Sequence, residues 1–207
     1  MPRRAIMVFA AAVLLVAAAL GGYAWMSRHA VTPQGSGVAL VGGPFTLTDQ
    51  DGRRVTEKDF LGRYMLVFFG FTYCPDICPT ELQVMTAALD AMGPAAEKIQ
   101  PVFVSVDPER DTPEVMKAYV TNFGPRLIGL TGTPEEIAAV AKAYRVYYAK
   151  AANQNAPDDY LVDHSSIIYL MGPDGSFVKH FPFTTDVEKL TSELKQAVAA
   201  SPYSRMK

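Results

Sequence analysis

The sequence predicts an α/β domain, and three observations carry that reading. The run YMLVFFGF at residues 64–71 is apolar on both faces, as a central parallel strand covered by helices must be. A second such run, PVFVSV at 101–106, follows a stretch whose apolar residues recur at helical spacing. Two Thr-Pro pairs, Thr112-Pro113 and Thr133-Pro134, then each announce a helix with a capping threonine and a proline at the first helical position.

Residues 44–55 lead the domain as a β-hairpin, because Asp51-Gly52 suits the positive φ angles of a tight turn between alternating apolar positions. Residues 57–62 read as one helical turn, followed by the strand at 64–71. The helix at 79–92 carries Leu82, Met85, Ala88, Leu89 and Met92 on one face. The strand at 101–106 ends at Asp107-Pro108, and a helix runs from Thr112-Pro113 to Phe123. A short strand at 127–130 precedes the helix that Thr133-Pro134-Glu135-Glu136 opens, which extends to about Val146. Residues 149–163 form an extended polar stretch. Strands at 166–171 and 176–181 make a hairpin about Gly172-Pro173-Asp174-Gly175, and an amphipathic helix at 186–200 closes the domain. This order is that of a thioredoxin-like fold, with the leading hairpin as an N-terminal addition.

Residues 5–26 contain no charged side chain and, at about 1.5 Å per residue, are long enough to cross a hydrocarbon core of roughly 30 Å. Arg3 and Arg4 precede the run, Tyr23 and Trp25 sit near its far end, and Arg28 follows. That balance favours a cytoplasmic N-terminus and an exported C-terminal domain. A cleaved signal peptide is the alternative, but no small-residue cleavage site closes the run. The expected organisation is a single transmembrane anchor at 1–27, a Gly/Ser/Thr/Pro-rich linker at 28–43 and one domain at 44–207. The first 43 residues hold three of the 19 Lys and Arg and none of the 21 Asp and Glu, so the domain itself is acidic. With no basic stripe to release counterions from phosphates, nucleic acid is excluded as a partner.

Cys74 and Cys78, the only two cysteines, fall at the junction of the first central strand and its helix. In open α/β sheets the reactive site lies beyond the carboxyl ends of the strands, and a helix N-terminus favours thiolate. A purely structural disulfide here would close a loop of a few residues and offer little stabilisation. Three residues separate the pair, where a thioredoxin has two, and that spacing still brings both sulfurs to one helix face. Such a pair can form a disulfide or chelate one soft ion, copper(I) or zinc, with an imidazole as a suitable third donor. Of the three histidines, His29 adjoins the apolar run and His180 lies in the last strand. His164, in Asp163-His164-Ser165, enters the final hairpin from the loop that faces the thiols in thioredoxin-like domains. The nine methionines are scattered, and Met85, Met92 and Met116 fall on apolar helix faces, so packing explains them.

FTYCPDICPTEL, SVDPERDTP, KAYRVYY and DYLVDHSSIIYLMGPDG together closely resemble the Sco/SenC family of membrane-anchored copper proteins, over nearly the whole domain and in matching order. The resemblance implies one copper per chain, bound by Cys74, Cys78 and His164. It also implies an inner-membrane protein with its domain in the periplasm or an equivalent compartment. Two thiolates and a neutral imidazole suit copper(I); copper(II) would want a fourth donor, water or a carboxylate such as Asp107. Asp163 could orient His164 or contact a partner. The expected function is a metallochaperone that accepts copper from a donor protein and delivers it to the dinuclear copper centre of cytochrome c oxidase subunit II. The alternative is a thiol–disulfide oxidoreductase, reset by a thiol reductant, in which Cys74 attacks and Cys78 resolves, acting on that subunit or another exported protein.

Overall fold

Strand β3 (Tyr64–Gly70) and strand β4 (Ile99–Ser105) are buried at every position, as their two-faced apolar sequences require. They pair in parallel from Tyr64 opposite Ile99 to Gly70 opposite Ser105. The computed structural model describes residues 41–151 and 160–200. The apolar run at 5–26 and the linker up to residue 40 lie outside these residues; among the described ones, no helix is long and apolar enough to cross a membrane.

Strand β5 (Ile128–Thr131) extends the parallel set beside β4. The leading hairpin, β1 (Thr46–Asp49) and β2 (Arg54–Thr56), joins the sheet antiparallel to β5. On the other side β8 (Ile167–Met171) runs antiparallel to β3, and β9 (Phe177–Pro182) completes a seven-stranded mixed sheet in the order β2-β1-β5-β4-β3-β8-β9. In the hairpin turn only Gly52 has positive φ, so Asp51 does not share that role. The Asp49 carboxylate shapes the turn instead, accepting from the backbone N–H groups of Asp51 and Arg53, both at 2.9 Å.

Helices α1 (Ile77–Met92), α2 (Pro113–Val120), α3 (Pro134–Tyr144) and α4 (Val187–Ala200) cover the sheet. Period-two alternation along β3 decides what each face meets. Met65, Val67 and Phe69 turn toward Val140 and Tyr144 of α3, with the Phe69 and Tyr144 rings 5.2 Å apart. Tyr64 and Phe68 turn the other way, where the Tyr64 hydroxyl donates to the Ala197 carbonyl of α4. Thr112 and Thr133 cap α2 and α3, the latter as a full capping box with Glu136. Helix α3 stops at Tyr144, short of the expected Val146, because Arg145 takes the left-handed conformation that ends it.

The polar stretch after α3 is not a simple extended segment. Its ends form β6 (Tyr148–Ala151) and β7 (Leu161–His164), an antiparallel ribbon in which Tyr148 opposes His164. Among the described residues these strands pair only with each other. His164 is therefore the last residue of a ribbon strand, not part of a loop.

Candidate metal centre

Everything on the thiol side follows from how β3 hands the chain to α1. Gly70 ends the strand with no side chain, and a Cβ there would meet Cys78 Sγ at 2.7 Å and the Phe103 ring at 2.9 Å. The glycine thus leaves room for a sulfur. Helix α1 begins at Ile77, two residues before the expected start, so Cys78 lies inside its first turn. Cys78 is fully buried and Cys74 half-buried.

The side chain of Asp76, at the N-cap, makes no capping hydrogen bond. Cys74 takes over, its Sγ accepting the Cys78 backbone N–H at 3.4 Å. The first helical N–H groups lack partners within a helix and carry partial positive charge, so they stabilise an anionic acceptor. The Cys78 thiol, donating to Cys74, is the largest influence that lowers the Cys74 pKa to about 3; His164 and the backbone N–H groups of Cys78 and Asp76 add to it. That same hydrogen bond, with burial second, pushes the Cys78 thiol well above its ordinary range. The pair therefore favours negative charge on Cys74 and the proton on Cys78.

On the opposite side the ribbon delivers the imidazole. The Tyr147 N–H donates to Ser165 Oγ at 3.1 Å, and the Ser165 N–H returns to the Tyr147 carbonyl at 2.9 Å, fastening the chain just past His164. Since a carbonyl only accepts, His164 Nδ1–H is the donor to the Ser165 oxygen, 3.3 Å away. Nε2 then faces the thiols, 3.4 Å from Cys78 Sγ. Phe68 and Phe71 hold the ring edge-on at centroid separations of 6.0 and 5.9 Å.

Cys74 Sγ, Cys78 Sγ and a ring nitrogen of His164 all lie within 4.8 Å of one another. Donors at about 2.3 Å (sulfur) and 2.0 Å (nitrogen) from one ion can be separated by no more than roughly 4.6 Å. The three residues therefore fit a shared ion with little movement. A cleft of about 320 Å³, with Ile77 and Leu161 on its two walls, opens this space to solvent.

The two carboxylates fare differently. Asp107 is 1 % exposed, and both of its oxygens are occupied: one accepts from Arg110 Nε, the other from the Tyr160 hydroxyl at 2.6 Å. It has no oxygen free to serve as the expected fourth donor. Asp163 lines the cleft from the exposed face of β7, and the contact that orients His164 is the Ser165 carbonyl.

Sequence reasoning passed over Asp111. Fully buried, this residue accepts from the Thr72 N–H at 3.1 Å and from the hydroxyls of Thr72 and Ser105, both at 2.5 Å. It ties the loop entering Cys74 to the end of β4, while burial raises its carboxyl pKa. The only trace in the sequence is the last acid of DPERD, which looks like one more turn residue. Gly70 left no trace beyond interrupting an apolar run.

Fold and site together define a thioredoxin-like domain carrying a candidate centre of two thiols and one imidazole. The profile of the SCO1/SenC family matches residues 33–199, and the chain belongs to that family. It is 52 % identical over 157 residues to Protein SCO1 homolog 1, mitochondrial, of Arabidopsis thaliana, covering 75 % of this chain and 46 % of that protein. Against the mitochondrial SCO1 homolog of Homo sapiens the identity is 50 % over 147 residues, covering 70 % and 48 %. The chain thus spans about half the length of these relatives. The crystal structure of Arabidopsis thaliana ScoI with copper bound superposes with a TM-score of 0.74 at 49 % identity, over 78 % of this chain and 99 % of that one.

Proposed function

We propose that the protein is a copper metallochaperone that carries one copper(I) on Cys74, Cys78 and His164. The carrying observation is the convergence of three soft or borderline donors within 4.8 Å at the edge of an open cleft. The copper-bound ScoI structure, at 49 % identity, supports copper as the ion. The recipient in this proposal is the dinuclear copper centre of cytochrome c oxidase subunit II, the target that family membership implies. The sequence organisation supports an inner-membrane anchor at 1–27, a linker at 28–43 and a domain at 44–207 facing the periplasm or its equivalent.

Copper enters as cargo. Loading requires Cys78 to release its proton, while the low pKa of Cys74 favours thiolate there and His164 already turns Nε2 toward the thiols. Unloading starts at Cys74, the half-exposed sulfur, where an incoming partner thiolate can displace one ligand at a time. No free ion need appear.

Titration with copper(I) against a competing chelator tests the reading. One copper per chain is expected, with affinity lost in Cys74→Ala and reduced in His164→Ala. Substoichiometric binding, or unchanged affinity in both variants, contradicts it. In cells, deletion is expected to lower oxidase activity, and added copper to restore it.

The asymmetry of the thiols favours a second reading. A half-exposed thiolate backed by a buried thiol is the arrangement by which Cys74 would attack a partner disulfide and Cys78 would resolve the mixed disulfide. The partner leaves as a dithiol, the Cys74–Cys78 disulfide remains, and a thiol reductant resets it. Disulfide reduction with copper excluded, at a rate indifferent to His164→Ala, would establish this reading over the first.

A further inference from the structure

The geometry points to Tyr160 as the positioning residue for His164: clamped by Asp107 and Arg110, it fixes the ribbon strand that carries the imidazole to the thiol wall. This rests on His164 being a copper ligand. Tyr160 immediately precedes β7, and His164 ends that strand. Because the ribbon shares no pairing with the main sheet among the described residues, side-chain contacts help to set its position.

Tyr160 is 8 % exposed and held at four points, one of them the Lys150 ammonium of β6, 4.6 Å from its ring centroid. Its hydroxyl donates to Asp107 Oδ1 at 2.6 Å. Its carbonyl accepts from Arg110 Nη1 at 2.9 Å. The Arg110 guanidinium also lies over its ring, 3.7 Å from the centroid, a close cation–π contact. That guanidinium is itself oriented by Asp107 and stands 4.9 Å from the ring of Tyr73 and 5.9 Å from that of Phe71. Tyr73 precedes Cys74, and Phe71 flanks the imidazole. Arg110 therefore joins the loop before the cysteines, the loop after β4 and the start of β7. A shift of Tyr160 would travel along one short strand to Nε2, whereas the sulfurs are held separately by α1 and the end of β3.

The test uses the full chain with labelled histidine, the variants Tyr160→Leu and Tyr160→Phe, and each of these again in a His164→Ala background. In Tyr160→Leu the stack and the hydroxyl are lost together, whereas Tyr160→Phe loses only the hydroxyl. In the apo-protein, NMR contacts between the His164 ring and Phe68 and Phe71 are expected to weaken in Tyr160→Leu and persist in Tyr160→Phe. Copper(I) affinity is expected to fall about tenfold in Tyr160→Leu, the usual consequence of removing support from a ligand. In a His164→Ala background the same change is expected to do nothing further, since its effect runs through the imidazole. Intact ring contacts in Tyr160→Leu, or an equal affinity loss with and without His164, would overturn the proposal. Should Tyr160→Leu not fold, Tyr160→Phe decides through the same cycle: a two- to threefold loss confined to the His164-containing background supports the clamp, and no such coupling rejects it. The ring-contact measurement needs no copper. Failure of the copper reading itself would show instead as equal affinity in wild type and His164→Ala.

Discussion

The thiol wall of the cleft is built from the core, and the imidazole wall from a ribbon set beside it. Cys78 lies against Gly70 and Phe103 at the buried end of β3, and Asp111 ties the approach to Cys74 to the end of β4. His164 instead ends a two-stranded ribbon fastened by Ser165 and by the Tyr160 clamp. In the proposed carrier, which must both bind and release, the difference divides the work. The two thiols are set by the core before any ion arrives, and the imidazole sits on a smaller element clamped beside it.

If that division holds, changes to the thiol wall register in global stability and changes to the ribbon register in metal affinity. Gly70→Val is expected to have the largest effect, because its side chain would overlap Cys78 Sγ and Phe103. Overpacking of this kind costs about 3 kcal/mol, to be read by denaturant unfolding, together with loss of copper binding.

Next comes Glu81, one turn beyond Cys78 and 1 % exposed, with Oε2 unpartnered. Burial raises its carboxyl from 4.5 to about 7. Between those values the folded state keeps a proton that the unfolded state has released, so stability falls as pH rises through that window. Glu81→Gln is expected to flatten this slope in pH-dependent unfolding and to stabilise the protein at pH 8 by on the order of 1 kcal/mol. A slope unchanged by the substitution would refute the assignment.

Ser165→Ala removes one ribbon hydrogen bond and is expected to cost about 1 kcal/mol, visible as faster hydrogen exchange at Tyr147 with β3 and β4 unaffected. Thr112→Ala serves as the control. Losing that cap costs about 1 kcal/mol of stability, with copper affinity unchanged.

The frame was legible because its signals are local. Continuous apolar runs mark β3 and β4, and a threonine before a proline marks the starts of α2 and α3. The early start of α1 was obscured by Pro79, yet a proline is tolerated there because the first-turn N–H groups have no partners within the helix. The ribbon was hidden for a different reason. Tyr148-Ala149-Lys150-Ala151 and Leu161-Val162-Asp163-His164 are short and half-polar, and only their pairing across a long separation makes them strands.

Among the site residues, Cys74, Cys78 and His164 stood out by type and spacing, and the structure brings them together. Asp107 stood out too, but a carboxylate before a proline does not reveal whether its oxygens face a metal or an arginine. Burial and the Arg110 and Tyr160 partners answer that here. Gly70 and Asp111 act through space they leave empty or hydrogen bonds they accept, which a sequence alone does not display.

The central claim is that the two walls close on one ion. Copper K-edge X-ray absorption of the copper(I)-loaded protein tests it directly. The expected first shell is two sulfurs and one nitrogen, with the nitrogen absent in His164→Ala. A shell of two sulfurs alone, identical in the wild type and in that variant, would contradict it.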